Sequence, residues 1–269
     1  MKAMNYYDRI AQIYDQTRWM TEAVAIEVAD FILDLVAATP DTCFLEPGVG
    51  TGLNVMPLVK RGYSVTGVDI SKEMLDRFSQ KLGKAPNNLS LIHGDASHLA
   101  FLDRSFDVVL TVHMIHTVTN WIVFLDEIGR VLKPKGFYLN CQWITPPARL
   151  EFERFFCNIR AKYEDSESRS LSRSHLTPVL PEIDVDGYWR SKGYESNYYI
   201  AKTWRVNNTV KDLLSCFKSR AYGLCWRLSE AKFNEAIAEF EEFCLKHYGS
   251  LEQTLSSEAK FEIWAYSAP

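Results

Sequence analysis

Apolar positions along this chain follow two rhythms. Between Cys43 and Trp143, short apolar runs alternate with polar stretches whose apolar residues recur at helical spacing, as βα units feeding a parallel sheet do. The runs predict strands near 42–46, 64–69, 89–94, 106–111 and 136–143, with helices near 53–61, 72–82 and 121–132 between them. Gly62, Gly83 and a Lys-Pro-Lys-Gly turn at 133–136 punctuate their ends. Upstream, 23–37 has the spacing of an amphipathic helix, and 4–19 is aromatic and amphipathic. Downstream the βα rhythm stops at Pro146-Pro147. A charged helix is predicted at 149–164, then a polar, serine-rich stretch at 165–174 that reads as mobile. Alternation returns at 197–206 and 259–266, predicting two last strands separated by helices near 210–222 and 230–248.

Composition narrows the picture. With 269 residues, 47% hydrophobic and 24% charged, the chain suffices for a large single core, so one domain with embellishments is the expectation. No apolar stretch approaches the roughly 20 residues that span a bilayer, so a soluble, cytoplasmic protein without stable membrane association is expected. The net charge of −4, with scattered Lys and Arg, disfavours nucleic acid as a partner. Six cysteines without a CxxC pair read as reduced core residues, and no metal site is expected.

The sharpest local feature is Leu45-Glu46-Pro47-Gly48-Val49-Gly50-Thr51-Gly52, at a strand exit and helix entrance. Alternating glycines there permit a tight turn, close backbone approach to a ligand and close helix packing. Asp69 ends the next strand, 19 residues after Gly50, near the interval at which a Rossmann carboxylate grips both hydroxyls of a ribose. It also suits a cap for the helix at Lys72. Asp95 follows the third strand and is placed to accept from a purine amino group. These loops converge at the carboxyl ends of adjacent strands, where open α/β sheets bind ligands.

Taken in order, LEPGVGTG, VTGVDISKEML, HGDASHLAF, SFDVVLTVHMIH and RVLKPKGFYL resemble the successive motifs of class I S-adenosylmethionine-dependent methyltransferases, in the small-molecule branch that includes ubiquinone/menaquinone-type enzymes. The resemblance is strong from about Tyr6 to Trp143 and weak beyond. It implies an α/β, Rossmann-like seven-stranded sheet whose last strand is antiparallel, with helices on both faces and a helical substrate-cap insertion. Within a single domain, 1–38 would be an N-terminal helical cap, 42–143 the cofactor-binding core, 146–192 and 207–250 the cap insertions, and 259–266 the closing strand. The implied cofactor is S-adenosyl-L-methionine, leaving S-adenosyl-L-homocysteine. Glu46, Gly48, Gly50 and Gly52 would face its methionine part, Asp69 its ribose, and Ile70 and Met74 its adenine. Asp95 would meet the adenine amino group and Ala96 the ring, while Thr111 and Val112 would lie near the sulfonium. Tyr14 and Arg18 would approach the methionine carboxylate from the N-terminal segment.

A sulfonium methyl is already electrophilic, so in-line transfer needs mainly alignment, water exclusion and, for some acceptors, loss of a proton. His113 and His116 follow the fourth strand, where imidazole suits proton removal near neutral pH; His116 is the expected base. Substrate contacts are expected from Tyr7, Trp143, Tyr188, Trp204, Tyr222 and Trp226, with Arg220 meeting an anionic group. The expected reaction is O-, N- or C-methylation of a small metabolite, of a kind seen in secondary metabolism, by a monomer or homodimer. Two rivals stand beside it. A nicotinamide-dependent oxidoreductase would carry G-x-G-x-x-G, whereas position 53 is Leu. A non-catalytic S-adenosylmethionine-binding protein would share every cofactor motif.

Overall fold

The computed structural model describes residues 6–84, 86–164 and 183–268. The expected polar stretch at 165–174 lies outside them. Seven strands form one sheet: β1 (Cys43–Pro47), β2 (Ser64–Asp69), β3 (Leu89–His93), β4 (Phe106–Val112), β5 (Leu132–Ile144), β6 (Glu195–Thr209) and β7 (Thr254–Ser267). Their order is β3-β2-β1-β4-β5-β7-β6. The first five pair in parallel, whereas β7 runs antiparallel to β5, with Tyr138 opposite Tyr266 and Cys141 opposite Ile263. β1 and β4 are almost wholly buried, in keeping with apolar runs covered on both faces.

The chain divides into two compact units. The first comprises Met1–Ile144, Asp184–Thr203 and Lys260–Pro269; the second comprises Thr145–Ile183 and Trp204–Ala259. In the first, α1 (Tyr6–Ile10) and α2 (Glu22–Leu35) precede the sheet. The crossovers carry α3 (Met56–Lys60), α4 (Lys72–Leu82) and α5 (Trp121–Val131), and α7 (Val185–Ser191) returns the chain to β6. In the second unit, α6 (Pro147–Tyr163), α8 (Val210–Lys218) and α9 (Glu230–Tyr248) enclose an aromatic core in which Phe152 and Phe156 pack edge-on against Phe217 and Phe240.

Local chemistry sets the ends of these elements. Ser71 caps α4 by accepting from Met74 N at 3.2 Å, and Asn120 caps α5 by accepting from the N–H groups of Ile122 and Val123. Thr209 and Asp212 form a reciprocal capping box on α8. Two elements depart from the sequence reading. The helix expected from Leu53 starts at Met56, because Pro57 belongs in a first helical turn and the preceding residues form the turn leaving the glycine loop. Residues 133–136, expected as a turn, lie within β5, which pairs at Leu132 opposite Phe106 and next at Phe137 opposite Val108, across an irregularity in which Lys135 has φ 63°.

Candidate active site

At the carboxyl ends of β1 to β4, a cavity of about 600 Å³ opens in the first unit. That volume lies in the range of small-molecule and cofactor sites. Its walls come from the loop after β1 (Gly48, Gly50), the end of β2 (Asp69, Ile70), the loop after β3 and the turn after β4. Tyr7 and Tyr14 close one side.

The glycine loop and Asp69 hold each other. Asp69 Oδ2 accepts from Gly50 N at 2.7 Å and Oδ1 from Ser71 N at 2.8 Å, so one carboxylate fixes both the loop and the start of α4. Burial raises its pKa, against the lowering effect of those two N–H groups. Gly50 has φ 54°, and a Cβ there would point into open space. Gly52, with φ 75°, is packed instead: its Cβ would stand 2.3 Å from the Phe78 ring. One glycine thus leaves room for a ligand and the other admits a helix.

Behind the loop, Glu46 is fully buried. Its Oε1 accepts from Asn54 Nδ2 at 2.9 Å, while Glu46 Oε2 and Asn54 Oδ1 are buried without a partner among the described residues. Burial pushes the Glu46 carboxyl up to about 8; Asn54 opposes and the charge of Asp69 adds to it.

The N-terminal segment is clipped over this region. Asp8 accepts from the Ser71 hydroxyl at 2.6 Å, Asp15 accepts from Lys81 at 2.6 Å and also from the Thr51 hydroxyl, and Ile10 and Ala11 pack with Met74. Arg18 lies over the Tyr14 ring, 3.9 Å from its centroid. Burial pushes Tyr7 up to about 12.

After β4 the backbone turns sharply at His113, with φ 53°. His113 Nε2 accepts from Trp143 N at 2.9 Å, and its own N–H donates to Cys141 O at 3.1 Å. Burial, with His116 and Arg18 nearby, lowers its pKa to about 4. His116 is exposed on the adjoining 3-10 turn (Ile115–Thr117), yet enough protein surrounds its ring to lower its pKa as well.

Among the residues singled out from sequence, the structure brings Tyr7, Tyr14, Gly48, Gly50, Asp69 and Ile70 to the cavity wall, followed by Met74, Asp95, Ala96, Val112 and His113. Gly52 and Glu46 stand behind the wall. Thr111 departs from expectation: alternation along β4 turns it away from Val112, and its hydroxyl lies 2.9 Å from the Tyr138 hydroxyl in the core. His116 is not part of the wall. Trp143 packs edge-on against His113 and Trp19 rather than lining the cavity.

The expected substrate residues farther along the chain also differ. The Tyr188 hydroxyl donates to Asp126 at 2.6 Å. Trp204, Arg220, Tyr222 and Trp226 belong to the second unit. There Arg220 donates from Nε and Nη2 to the carbonyls of Cys225 and Leu228 and lies over the Trp226 and Phe233 rings. Tyr222 is buried beneath Arg149. The sequence reading missed the wall formed by 117–120 and Val123. Asn120, capping α5 after a parallel strand, was the available signal, by the same rule that pointed to Asp95.

Residues 45–140 match the family described as "Methyltransferase domain". A demethylmenaquinone methyltransferase of Tropheryma whipplei (strain Twist) is 33% identical over 145 residues, 52% of this chain and 58% of the relative. The enzyme of the same name from Staphylococcus haemolyticus is 33% identical over 157 residues, 56% of this chain and 61% of the relative. The chain thus matches about three fifths of the length of these curated relatives. An N-methyltransferase of Haemonchus contortus, solved with phosphomonomethylethanolamine and S-adenosylhomocysteine, shares the fold at TM-score 0.57 and 12% identity, covering 98% of this chain and 60% of that one. Among the described residues no helix is long and apolar enough to cross a membrane, and no three His, Cys, Asp or Glu side chains are grouped to hold a metal ion.

Proposed function

We propose that the protein is a class I S-adenosylmethionine-dependent methyltransferase, a reading supported by the match of residues 45–140, and that it methylates a small molecule, an electron-rich ring carrying hydroxyl groups. The observation carrying this reading is the charge of the cavity. Its wall holds Asp69 and Asp95 and, among the described residues, neither Lys nor Arg. Such a wall suits a cationic, hydroxyl-rich nucleoside and opposes the pyrophosphate of a nicotinamide dinucleotide.

The residues fit the cofactor. Asp69 keeps lone pairs beyond those used by Gly50 and Ser71, enough to accept from ribose hydroxyls. Asp95 is exposed at the wall, and the Gly50 turn leaves room for close backbone approach. The buried oxygen of Glu46 without a partner gives the methionine end a polar anchor. When bound, S-adenosylmethionine supplies an electrophilic methyl group on sulfur. The chain's own residues then have three tasks: Asp69 and the glycine loop orient the nucleoside, Tyr7 and Tyr14 exclude water, and the turn after β4 meets the acceptor. The hydroxyl-bearing ring rests on the curated relatives, whose names specify demethylmenaquinone.

Calorimetry with S-adenosylhomocysteine tests the cofactor half, and transfer of labelled methyl to a panel of phenols, quinols and amines tests the acceptor half. We expect one bound nucleoside per chain, a Kd weakened at least about 10-fold (about 1.4 kcal/mol) in Asp69→Ala, and turnover highest on quinols. No heat of binding, or unchanged affinity in Asp69→Ala, would refute the reading.

A further inference from the structure

We infer that His113 serves the reaction as a fixed hydrogen-bond donor, presenting Nδ1–H to an oxygen of the methyl acceptor, and not as the base that removes its proton. This deepens the function proposed above and rests on it.

The argument begins with Trp143. A backbone N–H only donates, so the Nε2 atom 2.9 Å from it carries no proton. In the neutral ring the proton therefore sits on Nδ1. Two further contacts hold the ring in that setting: the His113 N–H bond to Cys141 O anchors its backbone in the left-handed region, and the Trp143 indole packs edge-on with centroids 5.2 Å apart. Nδ1–H has no partner among the described residues, and His113 stands in the cavity wall beside Val112 and Met114. A donor without a partner at the wall of a ligand cavity is a recognition group for an acceptor oxygen.

Accepting a second proton is opposed mainly by burial. Burial disfavours the imidazolium, and the charged or titratable groups facing the ring, Arg18 from the N-terminal segment and His116 from the following turn, both act against it. The Trp143 N–H already occupies the only lone pair available to a proton. His113 thus favours an acceptor whose oxygen carries negative charge, a phenolate or enolate, and leaves its deprotonation to another group.

Imidazole nitrogen NMR on the ¹⁵N-histidine-labelled chain, with His113 assigned by its loss in His113→Asn, tests this without turnover. Between about pH 5.5 and 8.5 the expected signals are a protonated Nδ1 and an unprotonated Nε2 that do not titrate, with the Nδ1 proton moving downfield when 1-naphthol is added to the S-adenosylhomocysteine-saturated protein. A proton on Nε2, a midpoint inside that range, or no response to 1-naphthol overturns the inference. Turnover on 1,4-naphthoquinol supplies a second readout. Asn keeps an N–H near the Nδ1 position and tolerates left-handed backbone, so His113→Asn should stay within about 10-fold of wild type, whereas His113→Phe should lose at least about 100-fold. S-adenosylhomocysteine affinity should change by less than about 3-fold in both variants. Wild-type turnover in His113→Phe also overturns it. Failure to bind S-adenosylhomocysteine would instead refute the proposed function, with the protonation pattern of His113 still measurable.

Discussion

At the residue scale, the buried Glu46 and the half-buried His113 carry opposite proton preferences. Glu46, with one oxygen partnered by Asn54, is pushed up to about 8, so the folded chain keeps a proton that the unfolded chain releases above its ordinary value of 4.5. Its stability contribution is complete below 4.5 and is lost as pH rises towards about 8. His113 behaves in the reverse sense: lowered from 6.5 to about 4, it contributes stability that is complete above 6.5 and lost as pH falls through about 4. The two slopes oppose each other between 4.5 and 6.5, and from 6.5 to about 8 Glu46 acts alone. Urea unfolding should show stability falling across that upper window, by at most about 1.4 kcal/mol per pH unit, with Glu46→Gln removing the fall. An unchanged slope in Glu46→Gln would mean that the carboxyl is already ionised in the native state.

At the element scale, the loop between β1 and α3 separates two roles that its sequence spacing merges. Gly50 and Gly52 both have left-handed backbone, but only Gly52 faces a neighbour, the Phe78 ring of α4. Gly52→Ala should therefore destabilise the protein by at least about 2 kcal/mol in chemical denaturation, since overpacking and backbone strain add. Gly50→Ala meets no protein atom within 4 Å and should cost about 1 kcal/mol of strain while weakening S-adenosylhomocysteine binding at least about 10-fold in calorimetry. Equal stability losses without an affinity difference would show that both glycines are structural. The same logic separates Thr111 from Val112, adjacent residues on β4 that face the core and the cavity.

For the molecule as a whole, the N-terminal segment joins the first unit through Asp8 and Asp15 and through the packing of Ile10 and Ala11 with Met74. Tyr7 and Tyr14 reach the cavity wall on that attached segment. Asp15→Ala removes the partner of both the partly exposed Lys81 and the buried Thr51 hydroxyl. Global stability should then fall by about 1 to 2 kcal/mol, because the buried Thr51 hydroxyl loses its acceptor while the partly exposed ion pair contributes little. Hydrogen exchange of 6–20 should nevertheless accelerate, and S-adenosylhomocysteine should dissociate several-fold faster by stopped flow, about 3- to 10-fold. Unchanged exchange in that segment would place its attachment in the apolar contacts alone.

By itself the amino-acid sequence determined the βα rhythm, the positions of five of the seven strands to within three residues, and the convergence of Gly48, Gly50, Asp69 and Asp95 at the ends of neighbouring strands. These are local matters: strand and helix periods, glycine at left-handed positions, and a carboxylate at the end of a parallel strand are all set by near neighbours in the chain. Only the tertiary structure decided that β5 begins at Leu132, where pairing with Phe106 outweighs a turn-like sequence. It alone gave His113 its ring proton, through a backbone N–H 30 residues away, and turned Arg220 inward onto carbonyls of its own unit. Long-range partners decide such cases because a polar side chain's role depends on which donors and acceptors surround it, and those are brought together only by the packed fold.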